Sequence, residues 1–155
     1  PEAFIIAETF LGEDDVVMIL GDNIFLEDLA KHIKTFKKGA RVVAKKVHDP
    51  ERFGVVEFDK NMKVLSVEEK PKKPKSNFII PGFYIGDKRV VKYAKTLKPS
   101  KRNELEITDI LKIYLKTGEL DVRKITKEWI DAGTFDSLIR ANQLAYKKLH
   151  KHLVI

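Results

Sequence analysis

The chain has 155 residues, 30 Lys plus Arg against 23 Asp plus Glu, a formal net charge of +7 and no cysteine. With 43% apolar and 34% charged residues, it suits a single folded domain over 1–155, and the composition excludes long disorder, disulfides and thiolate metal sites. No apolar run approaches the ~20 residues of a membrane helix, and neither a basic leader nor an initiator Met opens Pro1-Glu2-Ala3, so the expectation is a cytoplasmic protein whose start was processed or which is a piece of something longer.

In chain order, residues 3–11 read as a helix closed by Gly12. Val16 to Leu20 is a short apolar run between turn signals, predicting a strand buried on both faces as in a parallel sheet. Leu29, Ile33 and Phe36 share a helical stripe that Gly39 closes. Residues 40–47 read as a strand, and 54–58 with 63–68 as a hairpin around Asp59-Lys60-Asn61-Met62. Residues 78–85 are β-prone, with Pro81 pointing to an edge or bulged strand. Residues 87–97 form a short amphipathic helix. Ile107, Ile110, Leu111, Tyr114 and Leu115 recur at helical spacing and predict a core-facing helix ending at Gly118. A strand follows at 120–125. A last helix spans 135–149, with Leu138, Ala141, Ala145 and Leu149 near one face. The alternation means an α/β fold, and the hairpin means a mixed sheet.

The lysines are dispersed except at Lys70 to Lys75 and Lys147 to His152. A solvated surface or a pocket for small anions accounts for them, and no basic module interleaved with aromatics favours nucleic acid. Lys and Glu are abundant beside the lone Gln143, a bias like that of hyperthermophile proteins. The four histidines make no metal site or triad, and there is no G-x-S-x-G elbow and no G-x-G phosphate loop.

Four places carry candidate chemistry. Leu20-Gly21-Asp22-Asn23 puts a carboxylate at the carboxyl end of a strand, where open α/β sheets bind ligands and where Mg²⁺ finds oxygen ligands. A turn aspartate capping the next helix is the alternative. Trp129-Ile130-Asp131-Ala132-Gly133-Thr134 offers a second carboxylate that could converge with Asp22 on one metal, or else a second helix cap. Glu69 and Lys70 end a strand; alternation sends them to opposite sides unless the strand stops there. In Arg102-Asn103-Glu104-Leu105-Glu106 the acids suit a helix start and Arg102 is free to meet an anion.

Taken together, LGDN at 20–23, DPERFGVVEFD at 49–59, VEEKPKKPKSN at 67–77, PGFYIGD at 81–87, LKPSKRNELEITDI at 97–110 and WIDAGTFDSL at 129–138 resemble the sugar-1-phosphate nucleotidyltransferase family. Within it they are most similar to the glucose-1-phosphate thymidylyltransferases. The resemblance implies a Rossmann-like α/β/α fold and Mg²⁺-dependent transfer of a nucleotidyl group from dTTP to glucose 1-phosphate, with release of pyrophosphate. It implies Asp22 and Asp131 as the metal-binding pair and Asn23 beside them. Gly54 would present backbone to the hexose, Glu69 would bind sugar hydroxyls, and Lys70 and Arg102 would hold the sugar phosphate. Tyr84 would line the sugar pocket and Trp129 would pack near Asp131. The implied partners are a sugar 1-phosphate and a nucleoside triphosphate, with a homo-oligomer common in the family. The family's opening strand, its Gly-rich G-G-x-G-T-R-L loop and the following lysine are absent. The expectation is therefore the distal part of a catalytic domain, inactive alone, with the strand at 16–20 exposed as an edge. The alternatives are a sugar-phosphate-binding or scaffold fragment that needs a partner, and a related UTP-dependent sugar pyrophosphorylase.

Overall fold

The computed structural model describes residues 1–150; His152 and the rest of 151–155, and the side chain of Leu149 proposed for the last helix's apolar face, lie outside the described residues. In chain order the elements are α1 (Glu2–Ile6), α2 (Glu8–Leu11), β1 (Val16–Ile19), β2 (Asn23–Phe25), α3 (Ala30–Lys34), β3 (Ala40–Lys46), a 3₁₀ turn (Pro50–Arg52), β4 (Gly54–Phe58), β5 (Val64–Glu69), β6 (Phe78–Ile79), β7 (Phe83–Gly86), α4 (Arg89–Thr96), α5 (Ile107–Lys116), β8 (Leu120–Lys124), β9 (Trp129–Asp131) and α6 (Phe135–Leu149).

The β-branched run of β3 fits a strand covered on both faces, and Val42, Val43 and Ala44 have no exposed surface. One flank of β3 pairs in parallel with β8. The other pairs antiparallel with β7 and then with β6, so the sheet is mixed. Its strands run β1-β7-β3-β6-β4-β5, with β8 on the far side of β3. The apolar stripes of α4 and α5 (Val90, Val91, Ala94, Ile110, Leu111, Tyr114) and Phe4 of α1 close one face. Val43, Phe83, Ile85 and Ile125, with Leu29, Phe36 and Trp129 against them, form a smaller core on the other. This is the α/β/α layering expected. Among the described residues, no helix is long and apolar enough to cross a membrane.

Five expectations are corrected. The run at Val16 to Leu20 is not buried on both faces. Its strand β1 pairs antiparallel with β7 alone, and Val17, Ile19 and Leu20 are exposed. Residues 78–85 are not one edge strand but two interior ones. They part at Pro81-Gly82, where the Phe83 N–H donates to the Pro81 carbonyl at 2.7 Å in a three-residue turn. The predicted helical stripe at 29–36 shrinks to α3, whose Ile33 is exposed while Leu29 and Phe36 still pack. In α6, Leu138 and Ala145 are exposed and only Ala141 of the proposed face is buried. The helix at 3–11 is interrupted at Ala7.

Candidate functional site

The two carboxylates are brought together by a ribbon too short to show in the sequence pattern. β2 and β9 pair antiparallel with Asn23 opposite Asp131. Asn23 is the hub: its Oδ1 accepts from Trp129 Nε1 at 2.7 Å and from the Gly82 N–H at 2.9 Å, while its Nδ2 donates to Asp22 Oδ1 at 2.8 Å. The Ala132 N–H donates to the Asp22 carbonyl at 2.7 Å, tying the two motifs together.

Gly133 lies between the acids. A Cβ there would stand 3.0 Å from Asp131 Oδ1 and 3.4 Å from Asp22 Oδ2, so both carboxylates border one small space that a side chain would fill. Gly82 is required by close approach too, since its Cβ would meet Leu20 Cγ at 2.7 Å and Asn23 Nδ2 at 2.8 Å. Neither acid is occupied as a helix cap: Asp28 accepts from Ala30 before α3, and a Thr134–Ser137 capping box opens α6. Two hard oxygen donors around an uncrowded space fit a divalent cation such as Mg²⁺. Among the described residues no group of three or more His, Asp or Glu could hold a metal ion, this pair included, so oxygen ligands from outside the chain would have to complete the coordination.

The connection into β9 is clamped from both sides. Glu27 accepts from the Thr126 and Lys127 N–H groups, and Lys45 Nζ donates to their carbonyls at 3.0 and 2.8 Å. The Lys31 ammonium first, with the two N–H groups, draws the Glu27 carboxyl down to about 2 against the opposing effect of burial.

One cavity of about 650 Å³ is lined by Asp22, Asn23, Gly54, Glu69, Lys70, Tyr84, Arg102, Trp129 and Asp131, all nine candidate residues. Gly54 opens β4 directly opposite Glu69, the last residue of β5. The strand does stop there: Lys70 has φ 40° and its N–H donates to the Phe53 carbonyl, so Glu69 and Lys70 line the same space. A Cβ on Gly54 would press Thr108 Cγ2 at 3.1 Å and Glu69 Oε2 at 3.4 Å. Tyr84 is buried in the floor, which pushes its phenol well above the ordinary range. Trp129 meets Phe53 edge to face at 5.6 Å.

Arg102 is not free as expected. It is ringed by Glu106 at 2.8 Å, Glu104 at 3.0 Å and Glu69 at 3.7 Å. Burial and the neighbouring Glu106 charge raise the Glu69 carboxyl, only partly offset by the Thr108 hydroxyl and then by Arg102 and Lys70. Burial also works against the Glu106 charge, but hydrogen bonds from Arg102 and Ser100 outweigh it and hold that carboxyl low. Sequence reasoning missed the structural weight of Glu106, and also Thr108, whose buried hydroxyl lines the cavity beside Glu69. It missed the Glu27 and Lys45 clamp as well. Only the buried-helix periodicity that places Thr108 beside Ile107 was available as a signal.

The sequence profile of a family described as nucleotidyl transferase matches residues 1–148. A glucose-1-phosphate thymidylyltransferase of Neisseria gonorrhoeae is 48% identical over 146 residues, covering 90% of this chain and 51% of that protein. One of Mycolicibacterium smegmatis is 43% identical, covering 91% of this chain and 51% of that protein. The chain thus spans about half the length of these relatives. A crystal structure from Bacillus anthracis, solved with sucrose and provisionally named glucose-1-phosphate thymidylyltransferase, superposes with a TM-score of 0.84 at 49% identity, covering 93% of this chain and 59% of that one. A UDP-glucose pyrophosphorylase complexed with UDP-glucose shares the fold with a TM-score of 0.82 at 22% identity, covering 94% of this chain and 61% of that one.

Proposed function

The chain belongs to the nucleotidyl transferase family, and from that premise we propose that its cavity takes a sugar 1-phosphate, glucose 1-phosphate first, as the acceptor in Mg²⁺-dependent nucleotidyl transfer from dTTP. The observation that carries this reading is the convergence of nine residues, drawn from six separate motifs, on one cavity.

The acceptor's phosphate oxygen is ionised near neutral pH, so no histidine or serine machinery is required. What remains is to align two anions that repel each other and to offset the charge that develops between them. Glu69, at the end of β5, accepts hydrogen bonds from hexose hydroxyls. Gly54 has no side chain and lets the hexose approach the backbone of β4. Lys70, turned back by its positive φ, and Arg102 hold the phosphate. Tyr84 and Trp129 wall the sugar pocket and exclude water. Asp22 and Asp131 would hold Mg²⁺, with Asn23 fixing the orientation of Asp22 through its 2.8 Å bond. When bound, the ion supplies charge neutralisation between phosphate oxygens.

The 155 residues contain no Gly-rich phosphate loop, so the chain assayed alone is expected to bind glucose 1-phosphate but not to turn over dTTP. Calorimetry tests the first part: saturable heat with glucose 1-phosphate, weakened in Glu69→Gln, is expected. Absence of heat with or without Mg²⁺ overturns the reading. A pyrophosphate-release assay tests the second part, and turnover that Asp22→Ala abolishes contradicts it.

A further inference from the structure

Arg102 is held more firmly than an exposed arginine in a loop has reason to be. The Ser100 N–H donates to the Glu104 carbonyl at 2.8 Å and the Asn103 N–H to the Ser100 carbonyl at 2.9 Å, with Asn103 at φ 59°. This tight turn swings the guanidinium back to the start of α5. There its Nε reaches Glu106 Oε1 at 3.2 Å, and its Nη2 reaches Oε1 at 3.0 Å and Oε2 at 2.8 Å. Glu106 is itself fixed, because it is buried and its Oε1 accepts from the Ser100 hydroxyl at 2.6 Å. Glu106 precedes the first residue of α5 yet accepts no cap bond from the helix. Its carboxylate is therefore committed to Arg102 and Ser100.

The guanidinium has two usable edges. Glu106 takes the Nε–Nη2 edge. Among the described residues Nη1 makes no hydrogen bond. The two remaining carboxylates also face Nη2: Glu104 at 3.0 Å is mostly exposed and its attraction is screened by water, and Glu69 stands at 3.7 Å, beyond hydrogen-bond distance.

We infer that Glu106 is a positioning residue for the phosphate subsite: it grips the Nε–Nη2 edge of Arg102 so that Nη1, which none of the three carboxylates contacts, meets the anion. This rests on the reading of Arg102 as a phosphate-holding cation. An arginine already immobilised loses little further side-chain freedom when the phosphate arrives.

The opposing view gives the opposite sign. If Glu106 acted only as a nearby negative charge, removing it would strengthen anion binding. The experiment is calorimetry with glucose 1-phosphate and, as the uncharged control, glucose, on the wild-type chain, Glu106→Gln, Arg102→Lys and the double variant. Arg102→Lys keeps the charge but loses the fork, and thermal midpoints without ligand report the fold. Glu106→Gln is expected to weaken glucose 1-phosphate about tenfold, the scale of one charge-assisted hydrogen bond, with glucose unchanged. In the Arg102→Lys background it should have no further effect. Unchanged or tighter glucose 1-phosphate binding in a folded Glu106→Gln, or losses that multiply in the double variant, overturn the inference. Arg102→Lys binding like wild type overturns the underlying assignment of Arg102 itself, and the inference falls with it. Should Glu106→Gln fail to fold, Ser100→Ala, which removes the hydroxyl that holds Glu106 Oε1 in place, is expected to weaken the phosphate selectively in the same way.

Discussion

Val42, Val43 and Val56, around β3 and β4, have no exposed surface, whereas Val17 and Ile19 of β1 and Phe135 of α6 are 36%, 52% and 88% exposed. The first region is a packed sheet closed by α4 and α5. It carries Gly54, Glu69 and Tyr84. The second is an edge strand, a two-stranded ribbon and a loosely seated helix, and it carries Asp22, Asn23, Trp129 and Asp131. The cavity lies along their seam. The contrast shows two ways of fixing a side chain: burial in one region and hydrogen bonds in the other, through Asn23 and through the clamp of Glu27 and Lys45.

That contrast can be broken by mutation. Tyr114 is fully buried and its hydroxyl donates to Asp87 at 2.9 Å. Tyr114→Ala is expected to cost about 3–5 kcal/mol in urea unfolding, while Phe135→Ala stays within about 0.5 kcal/mol. Equal losses would erase the distinction. Asn23→Ala comes next. It strands the Trp129 indole N–H and the Gly82 N–H, and is expected to cost about 2 kcal/mol; a cost near zero would mean that the ribbon needs no hub.

The pH dependence should differ in sign between the regions. Glu27 has its carboxyl lowered from 4.5 to about 2. Its contribution is present above pH 4.5 and is lost as the pH falls through about 2. Glu69 is raised by burial, so its contribution is greatest below 4.5 and is lost as the pH rises through its elevated value. Urea midpoints across pH should lose an acid-side slope in Glu27→Gln and a slope of opposite sign in Glu69→Gln. The smallest effect is expected from Ile19→Lys on β1. Stability should change by less than about 0.5 kcal/mol, while concentration-dependent association by light scattering falls, as a charge blocks edge-to-edge pairing.

The six motifs were legible in sequence order, and so were the hairpin, the helix at 107–116 and the mixed sheet. What was not legible has physical reasons. An apolar run such as Val16 to Leu20 reports what a strand can bury, not whether neighbours are there to bury it. Three-residue strands carry too little periodicity to announce themselves, so the β2–β9 ribbon was invisible although its acids were not. Pro81 suggested an edge or a bulge; the strands it separates are interior, and the chain is interrupted between them. The interruption serves Gly82, whose close approach to Leu20 and Asn23 depends on partners about 60 positions away in the chain. Arg102 could be recognised as a cation but not as a latched one, since the turn that carries it back to Glu106 is set by Asn103 at positive φ.

The seam is best probed at Trp129, the one tryptophan in the chain, whose indole Nε1 bonds to Asn23 beside Asp22 while its ring meets Phe53, which also lines the cavity. Its indole N–H gives a single reporter in a ¹⁵N-correlated spectrum. Convergence of both carboxylates on one ion beside the cavity predicts that glucose 1-phosphate shifts this resonance, that Mn²⁺ broadens it, and that the broadening disappears in Asp22→Asn and in Asp131→Asn. An indole resonance that neither ligand perturbs, or that Mn²⁺ broadens equally in both variants, would contradict it.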